Sequence, residues 1–395
     1  MMEDNYLETL TRDISEASHK CRICMSCYAD CPLQLSTRGF VTNGPTGITK
    51  ALYYGILWDI QKGKETEDLR EIVYSCTTCG ACVLRCQKSA CGLELVDVIE
   101  KGRRYLVEKM IGPLPQQRQA LDAIYKYGNP YGESPEKRLN WLQDAPVKKL
   151  PAEQAEILLY VGCTASFEPE LHPVARSVLK LMQGLNVDFG ILENEVCCGD
   201  PARTLGDEFL FEEMKQQNVD KLVATGVKTI VTISPHCFNA YAKQYGEWSE
   251  RFKVMHYTEF LAKAFNDKPP VFQGSLSETV TYHDPCYLGK RSNVYDAPRD
   301  LLKRIPGVKL VEMAMSRANS LCCGGGGGRM YAEVEETQRL SETRVRQAQD
   351  VGARIIATAC PWCHMMLLNA VRDLNLQEHL RVADISELLA EAMAL

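Results

Sequence analysis

Positive charge is not in surplus: 45 lysines and arginines stand against 51 aspartates and glutamates, a formal net charge of -6. A nucleic-acid binder needs a clustered basic face to neutralise phosphates, so that class is set aside. Long apolar runs are missing too. Stretches such as Ala51 to Ile60 and Ile157 to Gly162 fall far short of the roughly 20 residues a membrane helix needs, so no direct membrane span is expected and a membrane link would require another subunit. The opening residues, Met1-Met2-Glu3-Asp4-Asn5-Tyr6, lack the basic and apolar regions of a secretory signal, which points to a cytoplasmic protein. No dinucleotide-binding fingerprint is present, and no phosphate-binding loop, because the glycine run at 324–328 continues into Arg329-Met330 rather than Lys-Ser or Lys-Thr. Hydride or substrate chemistry is therefore expected from a partner.

What is there is cysteine, eighteen in 395 residues, in a chain of 45% apolar and 24% charged composition that reads as globular with two or three domains. Disulfide frameworks belong to short secreted chains, so metal binding is the expectation here. Two spacing codes account for every cysteine but Cys91, which reads as a packed small apolar side chain.

The first code is Cys21-x2-Cys24-x2-Cys27-x3-Cys31-Pro32, repeated as Cys76-x2-Cys79-x2-Cys82-x3-Cys86 with Gln87 in place of the proline. Three cysteines on one tight loop suit three corners of a cubane, and the fourth ligates the other cluster. One 4Fe-4S cluster is thus expected on Cys21, Cys24, Cys27 and Cys86, the other on Cys76, Cys79, Cys82 and Cys31. Zinc knots favour two separated Cys-x2-Cys pairs and fit the run less well. Residues 1–110 form a helical, ferredoxin-like two-cluster domain on this reading, and proline-rich residues 111–152 a linker that wraps rather than packs.

The second code also occurs twice. Cys163, Cys197 and Cys237 recur as Cys286, Cys322 and Cys363 at offsets of 123, 125 and 126 residues, so 153–272 and 273–395 read as duplicated domains. Short β-branched runs (157–161, 228–233, 278–283, 354–358) alternate with helical stretches (207–224, 331–350, 365–374), which predicts α/β units with parallel sheets. Cys163, Cys237, Cys286 and Cys360 follow the predicted strands, at the carboxyl ends where open α/β sheets hold ligands. Five thiols, Cys286, Cys322, Cys323, Cys360 and Cys363, exceed what one tetrahedral ion uses, so a larger cluster or a spare redox thiol is implied. Gly324, Gly325, Gly326, Gly327 and Gly328 clear side chains from the wall beside it, letting backbone amides approach sulfur or admitting a substrate. The first copy offers only Cys163, Cys197, Cys198 and Cys237, with Ser234 where Cys360 stands, enough for a 4Fe-4S cubane or zinc. His236, His283 and His364 read as polar contacts before proton donors, and Glu333-Val334-Glu335-Glu336 as a solvated face.

His283-Asp284-Pro285-Cys286, Cys322-Cys323-Gly324 and Cys360-Pro361-Trp362-Cys363, behind two ferredoxin runs, resemble the D subunit of heterodisulfide reductase. Its relatives include the iron-sulfur subunits of glycolate, lactate and glycerol-3-phosphate dehydrogenases. The resemblance implies two so-called CCG domains, and a noncubane 4Fe-4S cluster on Cys286, Cys322, Cys323, Cys360 and Cys363. Disulfide cleavage in that family resembles a pair of facing noncubane clusters, whereas Ser234 leaves this chain one. The expectation is therefore an electron-transferring subunit of a multi-subunit oxidoreductase, partnered by a flavoprotein dehydrogenase, an electron-transfer flavoprotein or a similar subunit. The alternative is a thiol-disulfide reductase acting at the noncubane centre. A redox sensor is a third reading, without an output domain to support it.

Overall fold

The computed structural model describes residues 2–37, 39–58, 64–89, 91–332 and 338–395. Its N-terminal part is helical, with helices Met2–Lys20, Pro45–Leu57, Lys64–Tyr74, Ala81–Ser89 and Leu95–Glu108. In the last of these Leu95, Val98, Ile99, Tyr105 and Leu106 recur at helical spacing and are buried. Ile99 and Leu106 pack with Leu10, Ile14, Ile48, Leu52, Leu69 and Val73 from the other helices, so the four-cysteine loops hang on a rigid core.

Two parallel sheets follow. The first contains β1 (Lys148–Leu150), β2 (Ile157–Tyr160), β3 (Phe189–Leu192), β4 (Thr229–Thr232) and β5 (Lys253–His256), in the order β1-β3-β2-β4-β5. The second contains β6 (Thr279–Tyr282), β7 (Lys309–Val311), β8 (Ile355–Thr358) and β9 (Arg381–Asp384), in the order β7-β6-β8-β9. Without β1 the two orders are the same, the duplication read from the cysteine offsets. All pairings are parallel, which needs crossovers and buries both faces.

Side chains alternate between the two covered faces along β2 as strand geometry requires. Leu158 and Tyr160 join the N-terminal helices, whereas Leu159 and Val161 join Val280, Tyr282, Ile355 and Ala357 of the second sheet. The first sheet is thus clamped between the cysteine-loop module and its own duplicate. Burying a side chain such as Leu159 contributes about 1.5–3 kcal/mol.

Two expectations change. The stretch read as a wrapping linker carries helix Pro115–Tyr127 and a buried Trp141, and it supplies β1 to the first sheet. Two of the prolines there, Pro115 and Pro135, start helices, since a proline in the first turn leaves its missing N–H unneeded. The helix read from Tyr331 to Asp350 is helical only from Leu340 among the described residues, Tyr331 closing a short 3-10 turn. The Glu333–Glu336 run and the Ile60 end of the apolar stretch lie outside the described residues.

Candidate metal centres

In the first four-cysteine run Ile23 has φ 52°, and in the second Thr78, at the equivalent place two residues after the leading cysteine, has φ 49°. Left-handed backbone is costly for a β-branched residue, about 1–3 kcal/mol each, and persists where a site over-determines it. These turns aim successive thiols inward. Cys21, Cys24, Cys27 and Cys86 line one small cavity. Cys31, Cys76, Cys79 and Cys82 line another. The fourth cysteine of each run has crossed to the other's cavity. Cys91 lines the first cavity as a fifth thiol, its Sγ 3.8 Å from that of Cys86, a position spacing alone had not revealed.

Backbone amides point at sulfur, among them Thr78 N–H at Cys76 (3.3 Å), Leu93 N–H at Cys86 (3.3 Å) and Gly324 N–H at Cys322 (3.4 Å). Such donors favour the thiolate form that a metal needs, while burial pushes the free Cys31 and Cys82 thiols well above 9. The donor set fits a sulfur-rich cluster.

The second code sits where the topology dictates. In each sheet the central strand is flanked by the next two in sequence, which leaves a crevice at the carboxyl ends. Cys163 follows β2, Cys197 and Cys198 follow β3, and Cys237 follows β4. Cys286, Cys322 with Cys323, and Cys360 with Cys363 follow β6, β7 and β8. The glycine after each cysteine pair is left-handed, Gly199 at φ 83° and Gly324 at φ 95°, a turn that glycine alone makes cheaply.

The four thiols of the first copy, Cys163, Cys197, Cys198 and Cys237, line one small buried cavity. Buried Arg138 donates to Cys163 at 3.4 Å and to Glu195 at 2.9 Å, and Glu195 accepts from the amides of Val161 and Gly162. Ser234, in the place of Cys360, caps helix Pro235–Asn239 by accepting the His236 amide at 3.3 Å. Cys360 makes no such cap on helix Pro361–Asp373.

The second copy brings all five thiols together: Cys286 and Cys322 pack in one buried cluster, Cys323, Cys360 and Cys363 in the adjoining one. Cys79 of the N-terminal module belongs to the first of these clusters, beside Cys322, whose proximity with burial pushes the Cys79 thiol well above 9. Cys323 and Gly324 also floor a cleft of about 730 Å³ with Arg329, Met330 and Met366 on its walls. Between the two copies, His236 stacks on Tyr287 at 3.8 Å and meets Trp362 at 4.2 Å, while Trp362 Nε1 donates to Thr164 at 2.6 Å. That aromatic wall separates the two sets of thiols.

The glycine run has a second use. A Cβ on Gly326 would lie 2.4 Å from the Thr77 carbonyl oxygen, and one on Gly327 2.0 Å from that of Cys76. These two residues let the double-cysteine loop press onto the ferredoxin-type loop, while Gly324 and Gly325 face Leu340 and Met366. Arg103, fully buried, ties the junction by donating to the carbonyls of Val73 (3.1 Å), Cys76 (2.7 Å), Thr204 (2.9 Å) and Gly327 (2.9 Å). Nothing in its sequence neighbourhood marks that role. Of the three histidines, His364 is buried against Thr358 and burial lowers it to about 4, and His236 pairs with Asp200 at 2.9 Å. Burial, with Arg344 beside it, pushes His283 well below 6.5.

No helix among the described residues is long and apolar enough to cross a membrane. The 4Fe-4S dicluster domain family matches residues 17–90, and the cysteine-rich CCG domain family matches 157–241 and 280–368. The D subunit of a heterodisulfide reductase from Methanosarcina mazei is 35% identical over 84% of this chain and 80% of its own. An iron-sulfur-binding oxidoreductase of Bacillus subtilis, FadF, is 37% identical over 82% of this chain. An EtfAB:quinone oxidoreductase of Syntrophomonas wolfei is 33% identical over the same share. The chain spans about half of these last two, 47% of each. Both domain families match this chain, and the Methanosarcina relative is matched over most of its length, so the chain belongs to the family of iron-sulfur proteins typified by the D subunit of heterodisulfide reductase.

Proposed function

We propose that the chain is an electron-transferring subunit of a multi-subunit oxidoreductase, with two 4Fe-4S cubanes in the N-terminal module and a noncubane 4Fe-4S centre in the C-terminal domain. The carrying observation is the buried contact of Cys79 with Cys322. Cys21, Cys24, Cys27 and Cys86 would hold the outer cubane, and Cys76, Cys79, Cys82 and Cys31 the inner one. Cys286, Cys322, Cys323, Cys360 and Cys363 would hold the noncubane centre. Bound clusters supply one-electron chemistry. The chain's own contribution is spacing: Arg103 and the bare backbone at Gly326 and Gly327 keep the inner loop against the double-cysteine loop. Cys24 is exposed, which makes the outer cavity the natural port for a partner. The four thiols of the first copy suit a further cubane or a zinc ion.

The domain division at 1–110, 111–152, 153–272 and 273–395 goes with this reading, with 111–152 now a packed connector. The name of the Syntrophomonas relative makes an electron-transfer flavoprotein the partner class to try first. In the test, reduced electron-transfer flavoprotein is mixed with the loaded chain and the reaction is frozen at intervals. Cubane signals rising before the C-terminal signal support the relay, and a C-terminal signal that never reduces refutes it.

A second reading, a thiol-disulfide reductase at the C-terminal centre, draws on the open cleft beside Cys323. Turnover of a thiol-cofactor disulfide with reduced viologen would establish it.

A further inference from the structure

His283 follows β6 and is fully buried. Its Nδ1 accepts the Nε–H of Arg344 at 3.1 Å. Arg344 is itself fully buried and fixed by the Met315 carbonyl at 2.6 Å and the Gln347 side-chain oxygen at 2.8 Å. A guanidinium offers only hydrogens, so a proton on Nδ1 would set two N–H groups against each other. The ring hydrogen therefore sits on Nε2. That atom is buried with no partner among the described residues. His283, Cys323 and Cys363 are the one set of three metal-ligating side chains, among the described residues, whose atoms lie within 4.8 Å of one another.

We infer that His283 is a positioning residue that donates a hydrogen bond from Nε2 to sulfur of the C-terminal centre, rather than a ligand to its metal, with Arg344 locking the donating tautomer. A ligating imidazole presents a bare nitrogen and donates its other N–H to a carboxylate or carbonyl. Here the order is reversed: the outer nitrogen accepts and the inner one carries hydrogen. An unpaired buried N–H is destabilising, and a cluster sulfur supplies the missing acceptor. The duplicate shows that the fold does not require this histidine. At the equivalent position stands Tyr160, whose hydroxyl donates to the Val196 carbonyl and leaves no donor for sulfur. Hydrogen bonds to sulfur stabilise the more negative, reduced form and raise the potential, so this contact makes the C-terminal centre an electron sink relative to an otherwise equal one.

This inference rests on the iron-sulfur reading of that centre, which the iron content and C-terminal electron paramagnetic resonance (EPR) signal of the unmodified chain test independently. In the anaerobically loaded full chain, His283→Phe removes the N–H and keeps a flat ring. Its C-terminal signal should titrate at lower potential by about a tenfold change in the one-electron equilibrium, about 59 mV, with both cubane signals unmoved. His283→Gln, which retains a donor, should recover part of the shift, and Arg344→Met should move the same signal alone. Wild-type potential and line shape in a loaded His283→Phe chain would overturn the inference. Should that variant fail to load, 15N-histidine in the unmodified chain decides. A weak nitrogen coupling with an exchangeable proton on the C-terminal signal supports the hydrogen bond, while a ligand-sized coupling, or none, overturns it.

Discussion

Cys79 and Cys322 come from distant parts of the chain and meet in one buried cluster, with Cys286 and Tyr287 around them. Neighbouring Thr78 bonds the Tyr287 hydroxyl at 3.2 Å, and Arg291 donates to the Thr78 carbonyl at 3.1 Å and to Glu100 at 2.8 Å. The junction is therefore packed and hydrogen-bonded, as a fixed electron path needs.

Gly327 tests whether that packing matters. Gly327→Ala places a Cβ 2.0 Å from the Cys76 carbonyl oxygen, so the two loops must part. Gly92→Ala is the control, with a similar φ of 68° and nothing within 4 Å. Freeze-quench spectroscopy should show slower reduction of the C-terminal centre in the first variant and unchanged transfer in the second. Both should lose about 1–2 kcal/mol to the left-handed strain, with the larger loss at Gly327.

Ser234→Cys restores the fifth thiol of the first copy at the cost of the helix cap, about 1 kcal/mol. A second signal of the C-terminal type should appear in EPR spectra of the loaded variant. Spectra identical to those of the unmodified chain would show that the first cavity rejects such a centre for reasons beyond ligand number.

Asp384 gives a pH dependence away from the thiols. It is buried, caps helix Ile385–Met393 and accepts from Tyr257 at 2.6 Å and Ser386 at 2.7 Å. Burial raises its carboxyl to about 7 from the usual 3.8. Because the folded state binds this proton more tightly, its stabilisation is full below 3.8 and is lost as pH rises through about 7. The urea midpoint should therefore fall between about pH 5 and pH 8, and Asp384→Asn, which keeps the cap acceptor, should flatten that slope.

Much of this was legible in the sequence, because cysteine spacing is chemistry written locally. The three offsets between Cys163 and Cys286, Cys197 and Cys322, and Cys237 and Cys363 gave away the duplication, and the β-branched runs located β2, β4, β6 and β8. The strands before the cysteine pairs were not visible. Phe189–Leu192 contains a glycine and Lys309–Val311 has three residues, too few for a period to show. Prolines at 115 and 135 looked like linker punctuation because the same residue marks loops and first helical turns. Arg103, Arg138 and Arg344 were beyond reach, since each acts on groups far along the chain and none carries a local pattern.

Anaerobic iron and zinc analysis with EPR of the unmodified chain and Cys363→Ser tests the central claim most directly. Two cubanes and a noncubane centre predict about 12 irons per chain, or about 16 if the first copy also holds a cubane, with Cys363→Ser altering the C-terminal signal alone. About 8 irons, with Cys363→Ser leaving every signal unchanged, would contradict it.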